Sequence, residues 1–182
     1  FSLFSRMPEK HHLHRKVDRI GSELESYING IRVDLERSIS EANGRTLIIS
    51  GEDIAALPSE ALIKMRNYIS QYFNKIRIEA YVRPPAAYIN SAFQQRVKGG
   101  LGSMDAEKLY RSYKNSFAKF DEVFGQENVH LSKFNPKAFA NECVVTDFCL
   151  RLGINLSEDE ISTVNESLSL QAIGLLYTYN KF

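Results

Sequence analysis

Tyr81-Val82-Arg83-Pro84-Pro85-Ala86-Ala87-Tyr88-Ile89-Asn90-Ser91 changes its conformational preference midway, and that change decides the fold class. Upstream, residues 76–82 read as a strand. Downstream, Pro84-Pro85 supplies the start of a helix, because a first helical turn tolerates proline, and the helix runs to about Lys98. Arg83 therefore closes a strand, and Ser91 lies eight positions later on the helix that follows it.

The same alternation recurs on either side. Residues 1–16 mix Pro8 with His11, His12 and His14 without a steady period and are expected to form a loop. From Val17 to about Ala42, the apolar residues Val17, Ile20, Leu24, Tyr27, Ile28, Ile31, Leu35 and Ile39 recur at three and four, which describes one long amphipathic helix stopped by Asn43-Gly44. Residues 46–50, Thr-Leu-Ile-Ile-Ser, form a continuous apolar run that predicts a strand covered on both faces. Pro58 opens a second helix through about Phe73, with Leu62, Met65, Ile69 and Phe73 as its buried stripe.

Gly99, Gly100 and Gly102 then break the chain before an aromatic-rich helix over residues 105–124 and a short third strand over 129–134. A helix over 138–152, ending at Gly153, and a last helix over 170–179 complete the pattern. Strands alternating with helices at these lengths indicate βαβ units and a three-layer α/β/α fold with a parallel sheet. In such sheets ligands bind beyond the carboxyl ends of the strands.

The 182 residues, 43% hydrophobic and 25% charged, suffice for one sizeable core, so a single domain spanning 1–182 is expected. Twenty-three Lys plus Arg against twenty-two Asp plus Glu leave a net charge of +1, so no bulk field argues for nucleic acid or a membrane surface. Any anion site must be local. Cys143 and Cys149, the two cysteines, match neither a zinc knuckle nor a redox CxxC pair and read as buried thiols. No apolar run reaches the roughly 18 to 20 residues of a membrane span, and no signal peptide is visible, which predicts a cytoplasmic protein. The start at Phe1, without Met, suggests an upstream portion outside this sequence.

Arg83 and Ser91 can point into one crevice at the strand ends. A guanidinium offers planar paired donors to phosphate oxygens, a hydroxyl adds another, and the helix start contributes its amides and positive dipole end. Taken alone, the same residues favour a plainer reading, a surface arginine capping a carboxylate and an ordinary helix serine.

The wider sequence shifts that balance, because the segment from Tyr81 to Ser91 resembles the strand-loop-helix by which sulfotransferases hold the 3′-phosphate of 3′-phosphoadenosine 5′-phosphosulfate (PAPS). Ala92-Phe-Gln-Gln-Arg-Val-Lys-Gly-Gly100 is similar to bacterial sulfotransferase-like proteins associated with polysaccharide modification. So are Leu47-Ile-Ile-Ser-Gly-Glu52, Val144-Val-Thr-Asp-Phe-Cys-Leu-Arg-Leu-Gly-Ile154 and Asn165-Glu-Ser-Leu-Ser169, and the resemblance spans about residues 45 to 180. It implies a P-loop NTPase-like fold, PAPS as donor, a glycan or small-molecule acceptor, no metal, and Arg83 and Ser91 on the 3′-phosphate. The family's N-terminal strand and Lys-Ser/Thr-Gly-Thr-type loop have no match here, so the chain is expected to lack its first strand and phosphate loop. Gly99-Gly-Leu-Gly102 does not replace that loop, because it lacks the following Lys-Ser/Thr and a preceding strand.

Sulfuryl transfer needs a base for the acceptor hydroxyl. Glu52, just past a predicted strand end, and His12, in the histidine loop, are the candidates; their plainer readings are a carboxylate at a helix start and a solvated loop imidazole. Three histidines in four positions lack a partner ligand for zinc. Tyr110, Tyr113, Phe117, Phe120 and Phe124 recur at core spacing rather than as a stacking platform. Lys108, Arg111, Lys114 and Lys119 fit either an acidic acceptor or a solvated face. Ser169 and its neighbours Asn165 and Ser167 read as caps, and Asp147 is spaced to hold Arg151. Two other functions fit the same scaffold: a non-catalytic glycan- or partner-binding protein, and a nucleotide kinase with Asp53 toward magnesium.

Overall fold

The computed structural model describes residues 3–5, 21–100, 103, 105–110, 112–162 and 168–181. Helix α1, Gly21–Ala42, carries the predicted stripe: Leu24 and Ala42 are buried, and Ile28, Ile31, Leu35 and Ile39 are half-buried between them. Asn43 (φ 40°) and Gly44 (φ 79°) end it in the left-handed region, and Arg45 N–H donates to the Ala42 carbonyl at 2.7 Å.

Residues 46–50 do not form the predicted strand. They have no regular structure and lie outside the sheet, with Ile48 44% and Ile49 41% exposed, so the run lacks the cover on both faces that a strand of this kind presupposes. The 3₁₀ turn Glu52–Ala56 leads to Pro58 and helix α2, Ser59–Ile69, which buries Leu62, Met65 and Ile69 of the predicted stripe together with Ala61; it ends before the expected Phe73, which is half-buried beyond the helix. Strand β1, Ile78–Val82, is followed by helix α3, Pro85–Lys98, with Pro85 in the first turn where its missing N–H leaves no bond unmade.

The aromatic helix predicted over 105–124 is two helices: α4, Ala106–Leu109, and α5, Tyr113–Phe124. Ser112 accounts for the break, since its Oγ accepts the Asn115 N–H at 3.4 Å, an N-cap that starts a helix instead of continuing one. Strand β2, Val129–Lys133, follows. Helix α6, Val144–Arg151, begins later than the predicted residue 138, because Asn141 (φ 51°) and Glu142 (φ 54°) take left-handed conformations that no helix interior accepts. Helix α7, Leu170–Tyr179, has the predicted limits, and Ser169 caps it by accepting the Ala172 N–H at 3.2 Å.

Among the described residues the sheet has two strands, β1 and β2, paired parallel, so the chain is a helix-rich α/β protein. It divides into two compact units, Phe1–Glu79 with Ser112–His130, and Ala80–Arg111 with Leu131–Phe182. In the first, Leu57, Ala61, Leu62, Met65 and Ile69 pack with Phe120, Val123 and Phe124 of α5. Arg66 Nη1 donates to the Val123 carbonyl at 2.7 Å, and Lys119 Nζ donates to the carbonyls of Ala55 (2.8 Å) and Leu57 (2.7 Å). In the second unit, Val97 is fully buried, Phe93 meets Tyr177 edge-on at 5.4 Å, and Asn180 Nδ2 donates to the Val97 carbonyl at 2.8 Å, fixing α7 against α3.

Leu62, with no accessible surface, stands at the centre of the first core. Replacing it by Ala removes buried methyl groups and leaves a cavity, so we expect a loss of about 2–5 kcal/mol in urea unfolding, against about 0.5 kcal/mol or less for Leu175→Ala, 75% exposed at the surface. Equal effects of the two substitutions would contradict this packing.

Candidate functional site

Parallel pairing sends both strands out at the same edge of the sheet. Val82 is the last residue of β1 and Lys133 the last of β2, and the Phe134 N–H donates to the Val82 carbonyl at 2.8 Å, so Arg83 and Phe134 emerge side by side. The Arg83 guanidinium lies over the Phe134 ring, 4.7 Å from its centroid, and its Nη1 donates to Ser91 Oγ. Two prolines and two turns of helix thus bring the arginine and serine singled out in the sequence into direct contact. Arg83 is exposed and Ser91 half-buried. Pro84 sits at the N-cap of α3, where no side chain caps the helix, and the first turn carries no acidic residue, so the positive dipole end adds to the guanidinium.

A network behind this edge fixes its position. Tyr81 Oη donates to Asp147 Oδ2 at 2.5 Å, Arg151 Nε donates to the same oxygen at 2.6 Å, and Arg151 Nη1 donates to Ser132 Oγ at 2.9 Å. One carboxylate on α6 therefore ties β1 directly and β2 through Arg151. Phe139, buried, meets Tyr81 edge-on at 5.2 Å and Phe134 edge-on at 5.4 Å, and the Arg151 guanidinium lies 5.7 Å from the Tyr81 ring. The Asp147–Arg151 pair follows from helical spacing. Phe134, Phe139 and Ser132 went unnoticed in the sequence, although the residue after the second of two parallel strands is a position that the strand-end rule points to.

Of the proposed bases, His12 lies outside the described residues, as do His11 and His14. Glu52 opens the 3₁₀ turn Glu52–Ala56 in the first unit, with its side chain outside the description. It does not follow a strand, because residues 46–50 form none. Phe117, Phe120 and Phe124 are core residues, whereas Tyr110, 62% exposed, falls in the break between α4 and α5. Lys119, read as part of a solvated face, instead caps carbonyls of the first core. Among the described residues no group of three His, Cys, Asp or Glu side chains is placed to hold a metal, and no helix is long and apolar enough to cross a membrane. No protein-family model, curated protein or solved structure matches this chain.

The Tyr81 hydroxyl first, and then Arg151, hold the Asp147 carboxyl below its ordinary 3.8. A carboxylate lowered by folding binds its proton more weakly folded than unfolded, so its contribution is whole above that ordinary value and is lost as pH falls through the lower folded one. Urea midpoints of the wild type should therefore drop more steeply below about pH 4 than those of Asp147→Asn, with the two profiles parallel above about pH 5. Equal slopes below pH 4 would show that Asp147 does not carry this dependence.

Proposed function

We propose that the chain transfers a sulfuryl group from PAPS to a hydroxyl of a glycan or small-molecule acceptor, with Arg83 and Ser91 holding the donor's 3′-phosphate. The observation that carries this reading is the contact of Arg83 Nη1 with Ser91 Oγ at the carboxyl end of a parallel strand and beside a helix start. The residues present suit a phosphate: a guanidinium that donates through its planar edge, a hydroxyl that can turn its hydrogen to a phosphate oxygen, and backbone amides without acidic competition. The order of residues from Tyr81 to Ser91 adds the sulfotransferase resemblance, and with it a three-layer sheet of the P-loop type.

In the reaction the acceptor oxygen bonds to sulfur while the bond from sulfur to the 5′-phosphate oxygen breaks, and adenosine 3′,5′-bisphosphate departs. The acceptor's proton passes to a base, the role proposed for Glu52 or His12. Arg83 and Ser91 take no part in bond making; their work is to orient the donor by the phosphate farthest from the chemistry, so that its binding energy is spent on alignment.

Calorimetric titration with adenosine 3′,5′-bisphosphate tests the donor half of the site. We expect saturable binding, weakened about 10- to 100-fold by Arg83→Ala and about 3- to 10-fold by Ser91→Ala, the span set by hydrogen bonds to a charged group. No heat from the wild type, together with an unchanged melting temperature, would overturn the assignment and leave a scaffold that binds a glycan or partner without the nucleotide.

A further inference from the structure

Phe134 faces the guanidinium of Arg83, and nothing in a phosphate clamp requires an aromatic ring there. The residue is held at its backbone and at its ring. Its backbone N–H is bonded to the Val82 carbonyl, the residue immediately before Arg83, so the two side chains leave adjacent strand ends in fixed register. Phe139, 8% exposed, meets it edge-on at an interplanar angle of 80°, which prevents it from turning freely. Phe139 is in turn set edge-on, at 77°, against Tyr81, whose hydroxyl is bonded to Asp147. The series Asp147, Tyr81, Phe139, Phe134, Arg83 is thus continuous, and it ends on the proposed phosphate ligand.

We infer that Phe134 is a positioning residue: its ring fixes the plane of the Arg83 guanidinium so that the edge carrying Nη1 points at Ser91 and the two side chains face one anion together. The inference rests on the reading of Arg83 and Ser91 as the 3′-phosphate site. An arginine on an exposed strand end has several rotatable bonds, and ordering them on binding opposes affinity. A ring under the guanidinium face restrains those bonds beforehand without engaging the in-plane N–H donors, whereas an ion pair would engage them. The consequence is selective. The restraint acts on recognition of the 3′-phosphate and not on contacts with the rest of a nucleotide.

The test compares adenosine 3′,5′-bisphosphate with adenosine 5′-monophosphate, which lacks the 3′-phosphate, by calorimetry on the wild type, Phe134→Leu and Phe134→Tyr. The wild type should prefer the bisphosphate. Phe134→Leu should reduce that preference about fivefold, the size of a cation–π contact at an exposed site, and Phe134→Tyr, which keeps the ring, should restore it. Arg83→Ala should remove the preference, and Phe134→Leu should then change nothing further. An undiminished preference in Phe134→Leu overturns the inference and leaves the reading of the site intact, as does a loss of affinity for both nucleotides in equal proportion. No preference in the wild type overturns the reading itself and the inference with it. Should Phe134→Leu fail to fold, Phe134→Met carries the same comparison, and failure of both to fold makes the ring a folding residue and overturns the positioning role.

Discussion

Because β1 and β2 run parallel, the chain leaves both at the same edge, and the residues proposed to hold the 3′-phosphate lie at that edge. An antiparallel pair would put Arg83 and Phe134 at opposite ends of the sheet. In the parallel arrangement the bond from Phe134 N–H to the Val82 carbonyl extends the ladder one residue past the strands, and the two side chains that follow have little choice but to meet. The prolines complete the constraint. Pro84 and Pro85 fix their own φ near −65° and have no N–H to give to the sheet, so β1 ends at Val82 and the helix begins at Pro85, with Arg83 between them. Ser91, two turns on, is then within reach of the long Arg83 side chain.

A parallel pair also needs a long crossover, and the residues between β1 and β2 supply it with α3, α4 and α5. Glycine and serine decide where that crossover bends. Gly125 (φ 86°) turns the chain between α5 and β2 in a conformation that side chains resist, and a Cβ there would come within 2.5 Å of the Glu127 carboxylate. Packing of α5 on α2 through Phe120, Val123 and Phe124 stabilises the first unit by burial, while Arg66 and Lys119 supply donors to carbonyls that burial would otherwise leave unmatched.

The sequence was most legible where a single element supplies its own evidence. The stripes of α1 and α2 repeat often enough to define a face, and the caps at Gly44 and Ser169 are local chemistry. Arg83 and Ser91 could be paired for the same reason, since only a turn and a helix start separate them. Elements that depend on distant neighbours were harder. Leu47-Ile-Ile has strand composition, yet a strand exists only when another backbone accepts its hydrogen bonds, and none among the described residues does so for residues 46–50. The late start of α6 depends on two non-glycine residues in left-handed conformations, which no periodicity announces. Phe134 and Phe139 look like ordinary apolar residues until tertiary contact gives them a geometry.

The two arginines at this edge illustrate how identical side chains acquire different work. Arg151 shares the Asp147 carboxylate with the Tyr81 hydroxyl and reaches Ser132, so its charge is balanced within the protein and its effect is to join α6 to both strands. Arg83 is placed with its guanidinium face against the Phe134 ring and its Nη1 on the Ser91 hydroxyl. The acidic partner that balances Arg151 is therefore also what keeps this edge fixed, because through Tyr81 and Arg151 it joins α6 to both strands.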